Sequence, residues 1–266
     1  MRAVMLAAGV GARLLATGAA APPKILLRFA GMTLLERHIQ ALVRSGVSEL
    51  VLGVGYHREQ IQAEVARLGA EKFVKTVPNV DYEEGSILTL WALREELCRG
   101  GPVLLMDADV LYDHRLVARL AQSEHDNCPL VDFSATPDAE AVKLCIRGGR
   151  IVEFRKWLST EFDHCGESVG FFRLSSEAAR ALVAQTSLYV TQGRRGDPYE
   201  EPLRDLFLTS STKNLAFEDI SGLPWIEIDS PSDLEQARRV TLPRILWHES
   251  SSTTQYSAAP ATLPAL

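Results

Sequence analysis

The chain reads as an α/β fold, a mostly parallel central sheet flanked by helices, with a small antiparallel β insertion in the second half. Three observations predict it. Short apolar runs alternate with amphipathic segments of helical length through the first 120 residues, the pattern of strand–helix–strand units. The first run breaks directly into Gly9-Val-Gly11, a glycine turn where a strand hands over to a helix. Farther on, Gly148-Gly149 separates two short apolar stretches, the signal of a hairpin rather than a crossover.

The elements follow in order. Residues 4–8 form the first strand. Residues 33–45 form a helix, because Leu34, Leu35, His38, Ile39, Leu42 and Val43 recur at helical spacing and Gly46 is placed to end it. Strands are expected at 50–54 and 73–77, with a helix at 57–68 between them. A helix at 87–97 leads to a fourth strand at 103–106 that closes in Asp107-Ala-Asp109. Antiparallel strands then follow at 142–146, 150–154 and 168–174. After these come a helix at 176–185, an acidic segment at 197–207 and late strands at 217–220 and 225–228. Ser230-Pro-Ser-Asp233 caps a helix at 234–239, which makes Asp233 structural. Residues 1–241 are read as one domain. Residues 242–266, rich in Ser, Thr, Ala and Pro, are expected to be a weakly ordered tail.

Composition narrows the function classes. At 266 residues, 46% hydrophobic and 23% charged, the chain suits one globular α/β domain. A net charge of -6 argues against nucleic-acid recognition through a broad basic surface. No apolar run approaches the roughly 20 residues that cross a bilayer, and no basic-then-apolar leader opens the chain, so a cytoplasmic location and no membrane partner are expected. Cys98, Cys128, Cys145 and Cys165 are widely spaced, which argues for reduced thiols rather than zinc.

The opening segment carries the chemistry. Glycines at a strand end let backbone N–H groups approach an anion, and Arg13 and Lys24 add full positive charges beside them. The spacing is neither that of a P-loop nor that of a dinucleotide fingerprint. Leu6-Ala7-Ala8-Gly9-Val-Gly11-Ala-Arg13-Leu14, followed by Pro23-Lys24, resembles the signature of the nucleotidyltransferases that make nucleoside-diphosphate sugars and CDP-alcohols. The resemblance implies a Rossmann-like (GT-A type) fold. It further implies that Leu6, Ala7, Ala8, Gly9, Gly11 and Arg13 hold a nucleoside triphosphate and that Lys24 contacts phosphate during transfer. The insert between loop and lysine is unusually alanine-rich, at 16–21. Residues 1–120 are then the nucleotide-binding half and 121–241 the acceptor-binding half.

Asp107 and Asp109 close an apolar strand, where carboxylates are costly unless they meet a cation. Mg²⁺, a hard ion held by carboxylates, water and phosphates, is the suitable one. The resemblance places the metal ligands on Asp109 and Asp229, with Asp107 as an alternative or auxiliary ligand that also borders the nucleotide. It likewise sets Tyr82, Gly85 and Ser86 beside the nucleotide base, although Ser86 reads equally well as a plain helix cap. Lys156 matches the lysine that binds the acceptor's phosphate, with Arg155 as the alternative cation.

The acceptor is read from the second half. Cys165 to Phe172 and Asp197-Pro-Tyr199-Glu200-Glu201 are similar to the corresponding parts of the phosphocholine cytidylyltransferase branch. Acids and aromatics there suit an ammonium group, with Glu167, Tyr199, Glu200 and Trp225 as candidate contacts. The expected activity is a Mg²⁺-dependent CTP:phosphocholine-type cytidylyltransferase, with phosphoethanolamine or an aminoalkylphosphonate as possible replacements for phosphocholine. A sugar-1-phosphate or inositol-1-phosphate nucleotidyltransferase is the alternative enzyme, and a non-catalytic nucleotide-binding regulator the alternative of another class. Small-molecule substrates are the expected partners, and the oligomeric state, a homodimer included, stays open.

Overall fold

The computed structural model describes residues 1–15, 22–134, 139–209 and 215–245. The alanine-rich insert at 16–21 and the tail from Ser250 lie outside the described residues.

The first half is built as its periodicity demands. Strand β1 (Arg2–Ala7) passes through the glycine turn into one helical turn, α1 (Ala12–Leu15). A small hairpin, β2 (Arg28–Phe29) and β3 (Met32–Thr33), leads into α2 (Leu34–Arg44), where the Thr33 hydroxyl accepts the Glu36 N–H and caps the helix. Then come β4 (Glu49–Val54), α3 (Arg58–Arg67), β5 (Val74–Pro78), α4 (Ser86–Ala92), α5 (Arg94–Leu97) and β6 (Val103–Asp107). The single helix expected at 87–97 is therefore two, parted at Leu93.

Three elements without a strong sequence signal follow: β7 (Val110–Tyr112), α6 (Arg115–Gln122) and β8 (Cys128–Asp132). The second half holds the hairpin β9 (Lys143–Arg147) and β10 (Arg150–Arg155), then the long β11 (His164–Leu174), α7 (Ser176–Thr191) and α8 (Glu200–Leu208). Gly148 and Gly149 both take positive φ, as the expected tight turn requires. The acidic segment forms α8, and α7 runs six residues past the expected end at 185. Strands β12 (Glu218–Asp219) and β13 (Trp225–Glu227) precede α9 (Pro231–Gln236), whose Ser230/Asp233 capping box matches the sequence expectation.

The main sheet runs β10-β9-β11-β6-β1-β4-β5. Strands β5, β4, β1 and β6 are parallel, while β11 joins β6 antiparallel. β11 pairs with β9 through its first residues and with β6 through its last, so one strand ties the inserted hairpin to the parallel half. Apolar side chains alternate between the faces, as strand geometry dictates. Ala3, Met5, Leu50, Leu52, Leu104 and Met106 face one core with α2, α3 and α6. Val4, Val51, Val103 and Leu105 face a second core with α4, α5, α7 and α8. This is the predicted Rossmann-like layering, with helices on both faces of a mostly parallel sheet. Among the described residues no helix is long and apolar enough to cross a membrane.

The helical path does not stop at Thr241. Leu242 and Ile245 are buried against Leu14, Phe29, Leu111 and Ile228, so residues 242–245 belong to the packed body. Ile245→Ala should lower the free energy of unfolding by about 2–5 kcal/mol in urea titration. A change within experimental error would return these residues to a tail.

Candidate active site

The carboxyl ends of β1, β4, β5 and β6 meet the glycine turn at one edge of the sheet, where open α/β sheets bind ligands. Gly11 takes φ +67, a left-handed conformation that suits glycine, and a Cβ there would press on the Lys24 side chain at 3.3 Å. The turn thus admits Lys24 beneath it. The Lys24 ammonium bridges two acids, 2.8 Å from Asp109 and 2.5 Å from Asp229. Arg13 binds the other oxygen of Asp229 at 2.7 Å. Burial opposes the charge on Lys24, but the Asp109 and Asp229 carboxylates outweigh it and raise its pKa. Asp229 is held below the usual carboxylate range by Lys24 and then Arg13, against the opposing effect of burial.

The two acids meet through a ribbon that the sequence did not reveal. β7 pairs antiparallel with β13, Val110 opposite Glu227, and the Ile228 N–H donates to the Asp109 carbonyl at 2.9 Å. That register brings the residues after β6 beside those after β13. It also adds Glu227, which the sequence reading passed over: oxygens of Asp109, Glu227 and Asp229 lie within 4.8 Å of one another. Burial and the charges of Asp109 and Asp229 push Glu227 up to about 8. Because that side chain remains solvent-exposed, crowding by like charges is the firmer of those causes. The donors are all hard carboxylate oxygens, and a cationic side chain already sits between two of them, so the residues fit Mg²⁺.

Asp107 is turned to a different task. Its carboxyl is 2.6 Å from the Tyr199 hydroxyl, not in the acid trio. Gly170, at φ +77, leaves room for it: a Cβ there would collide with the Asp107 carboxyl. Burial first, then Asp109 and Glu227, push Asp107 well above the usual range. Tyr199 is correspondingly buried, its hydroxyl engaged with Asp107 and its backbone N–H donated to the Ser86 hydroxyl oxygen at 2.9 Å. Ser86 therefore fastens α8 to the start of α4. Gly85 is pressed against the backbone of Arg195 and Gly196, and Arg195 pairs with Asp81 and Glu84. Tyr82 packs over Gly55, where a Cβ would meet its ring. The loop expected beside the base is thus anchored to the acceptor half.

A cleft opens beyond the trio, lined by Glu140, Lys156, Ser168, Tyr199, Glu200 and Glu227 among others. Arg155 is committed to a two-point pair with Glu201, which leaves Lys156 as the cation facing the cleft. A buried amine from Lys143 holds the strand end there, donating to the carbonyls of Ala141 and Lys156. One carboxylate oxygen of Glu200, Oε2, is buried with no hydrogen-bond partner among the described residues. Burial raises the Glu200 carboxyl, with Lys156 opposing.

Two expected acceptor contacts lie elsewhere. Glu167 is out of phase with Ser168 and Gly170, which line the cleft, and lies opposite Lys143 and Asp132 in the sheet. Trp225 donates its indole N–H to Asp132 at 2.9 Å and packs against the first core. Neither residue lines the cleft: strand alternation turns Glu167 away, and the partly buried bond to Asp132 holds Trp225 elsewhere. Of the aromatics in this half, Phe172 packs against Phe154, Tyr199 and Phe207, whereas Trp157, next to Lys156, stays exposed.

A parallel sheet ending in a glycine turn, two cations and an acid trio defines a nucleotidyltransferase-type domain. The profile of the family described as MobA-like NTP transferase domain matches residues 3–198, and the chain belongs to that family. It is 32% identical over 245 residues to a bifunctional IPC transferase and DIPP synthase from Rubrobacter xylanophilus, covering 90% of this chain and 52% of that protein. A CMP-5'-(3-aminopropyl)phosphonate synthase from Streptomyces rubellomurinus is 27% identical over 241 residues, covering 89% of this chain and 38% of that one. The chain thus spans about half of these curated relatives or less. The solved inositol-1-phosphate CTP transferase from T. maritima shares the fold, with TM-score 0.72 at 22% identity over 92% of this chain and 95% of that one.

The raised Asp107 gives a pH prediction. A carboxyl whose folded pKa lies above its unfolded value contributes stability at low pH and loses it as pH rises through the folded pKa. Asp107→Asn keeps a partner for Tyr199 and removes that loss. In urea titrations with EDTA, the variant should gain stability on the wild type as the pH is raised from acid to alkaline. A difference independent of pH would show that Asp107 is not perturbed.

Proposed function

We propose that the chain is a Mg²⁺-dependent cytidylyltransferase that joins CMP, drawn from CTP, to a small phosphorylated alcohol or phosphonate and releases pyrophosphate. The observation that carries this reading is the Lys24 ammonium shared between Asp109 and Asp229, beside the glycine turn. Asp109, Glu227 and Asp229 would hold the ion, which would neutralise triphosphate charge and favour attack at the α-phosphorus. Arg13 and Lys24, both paired with Asp229, stand where phosphate oxygens can be bound, and Lys156 lines the cleft that Asp229 borders, placed to receive the acceptor's phosphate. Nothing in the chain acts as nucleophile, since an acceptor phosphate oxygen performs the attack in line with departing pyrophosphate. The residues position the two anions and stabilise the charge that develops between them.

For the acceptor, the chain's own chemistry favours a cationic end. Carboxylates outnumber cations around the cleft, and Asp107, Glu200 and Glu227 are all displaced toward the protonated form, by burial first and after it by neighbouring carboxylates. An ammonium group as in phosphoethanolamine or an aminoalkylphosphonate answers that imbalance with N–H donors for Glu200. Phosphocholine fits the charge but finds fewer open aromatic faces than the sequence suggested. A second reading, inositol 1-phosphate, is favoured by the likeness to the solved inositol-1-phosphate CTP transferase, since ring hydroxyls also donate to carboxylates.

The test is pyrophosphate release from each of four nucleoside triphosphates with phosphoethanolamine, phosphocholine, inositol 1-phosphate and hexose 1-phosphates. Highest turnover is expected with CTP and an ammonium acceptor. Asp109→Ala and Asp229→Ala should each lower kcat by at least about 100-fold at saturating Mg²⁺, about 3 kcal/mol of transition-state stabilisation. Activity confined to hexose phosphates would sink the ammonium acceptor, and near-normal turnover in both variants would sink the metal site.

A further inference from the structure

His38 is buried on the inner face of α2, where its sequence position reads as one more core residue. Both of its ring nitrogens are nonetheless engaged with the segment that carries Asp109. Nε2 lies 3.0 Å from the Ala108 carbonyl, and Nδ1 lies 3.0 Å from the Tyr112 hydroxyl. A carbonyl can only accept, so Nε2 bears the proton. Nδ1 then accepts from the Tyr112 O–H, which fixes a neutral imidazole in one tautomer. One ring thus grips the backbone immediately before Asp109 and the side chain three residues after it.

We propose that His38 is a positioning residue for the metal-binding acids: by clamping Ala108 and Tyr112 it sets the backbone from which Asp109 meets Asp229 and Glu227. The inference rests on the metal reading given above. Three features support it beyond the two hydrogen bonds. Tyr112 is the last residue of β7, the strand whose pairing with β13 aligns the acids, and it stands opposite Trp225. Its ring packs edge-on against Phe171 at 4.9 Å, so the hydroxyl has little freedom to leave His38. Burial holds the imidazole near 4, which keeps it neutral through the working pH range. Any buried imidazole needs partners for its ring nitrogens; here both partners belong to one short acid-bearing segment.

Substitution separates positioning from packing. His38→Leu keeps an apolar side chain of similar bulk and removes the donor to Ala108, whereas His38→Gln can restore an N–H near Nε2. Binding of Mn²⁺ alone to the full chain, followed by electron paramagnetic resonance without nucleotide, reads the acid site directly. His38→Leu should raise the Mn²⁺ dissociation constant about 10-fold, with His38→Gln within about threefold of wild type, as for residues that orient metal ligands. Wild-type affinity in a His38→Leu protein with native circular dichroism overturns the proposal, and so does equal weakening by Leu and Gln. If His38→Leu does not fold, Tyr112→Phe serves: it removes only the donor to Nδ1 and should weaken Mn²⁺ about two- to threefold. Unchanged affinity there overturns the proposal. A wild type that binds no Mn²⁺ refutes instead the metal reading of Asp109, Glu227 and Asp229, and the role of His38 falls with it.

Discussion

The rest of the site depends on one ammonium group. Lys24 stands between Asp109 and Asp229, carboxylates that arrive from distant parts of the chain, and without a cation there their repulsion would be uncompensated in a partly buried cleft. Asp109 follows β6, Asp229 follows β13, and Lys24 follows the glycine turn. The contact therefore ties the first strand, the fourth parallel strand and the late ribbon into one edge. It is also chemically provisional, because the same acids fit a divalent metal and the same lysine fits a phosphate. An arrangement of this kind can exchange partners when a triphosphate and its metal enter.

Around that exchange the fold supplies rigid walls. Asp107 and Tyr199 share a partly buried hydrogen bond, Ser86 takes the Tyr199 N–H, and Arg195 pairs with Asp81 and Glu84. The first contact ties the end of β6 to the segment before α8, and the other two tie that segment to the start of α4 and the loop before it, so the two sides of the cleft are held at a fixed separation. In-line transfer needs that constancy, since the reaction is largely a matter of placing two anions. The acceptor cleft keeps a surplus of carboxylate that a cationic substrate would relieve.

Much of this was legible in the sequence because it is written in local patterns. Alternating apolar runs and helical periodicity located β1, α2, β4, α3 and β6, and the glycine turn with Arg13 and Lys24 singled out the two cations that the structure pairs with Asp229. Asp109 and Asp229 stood out as acids at the ends of apolar strands. What the sequence hid was register. β7 is only three residues long and carries no alternation of its own, so its pairing with β13, and with it Glu227, had no local signal. Glu167 and Trp225 looked suitable by residue type, but which face of a strand a side chain occupies is decided by pairing partners far away in sequence. Tyr199 and Ser86 stood out in the sequence as candidate acceptor and nucleotide contacts. Their observed contacts are with Asp107 and with each other, which residue type alone does not convey.

The most direct test of the cation-bridged site is a crystal structure of the chain with CTP and Mg²⁺. A metal ion bound by Asp109 and Asp229, with the Lys24 ammonium moved from those acids onto the phosphates, is the expected result. A metal bound elsewhere, with Lys24 still joining Asp109 to Asp229, would contradict it.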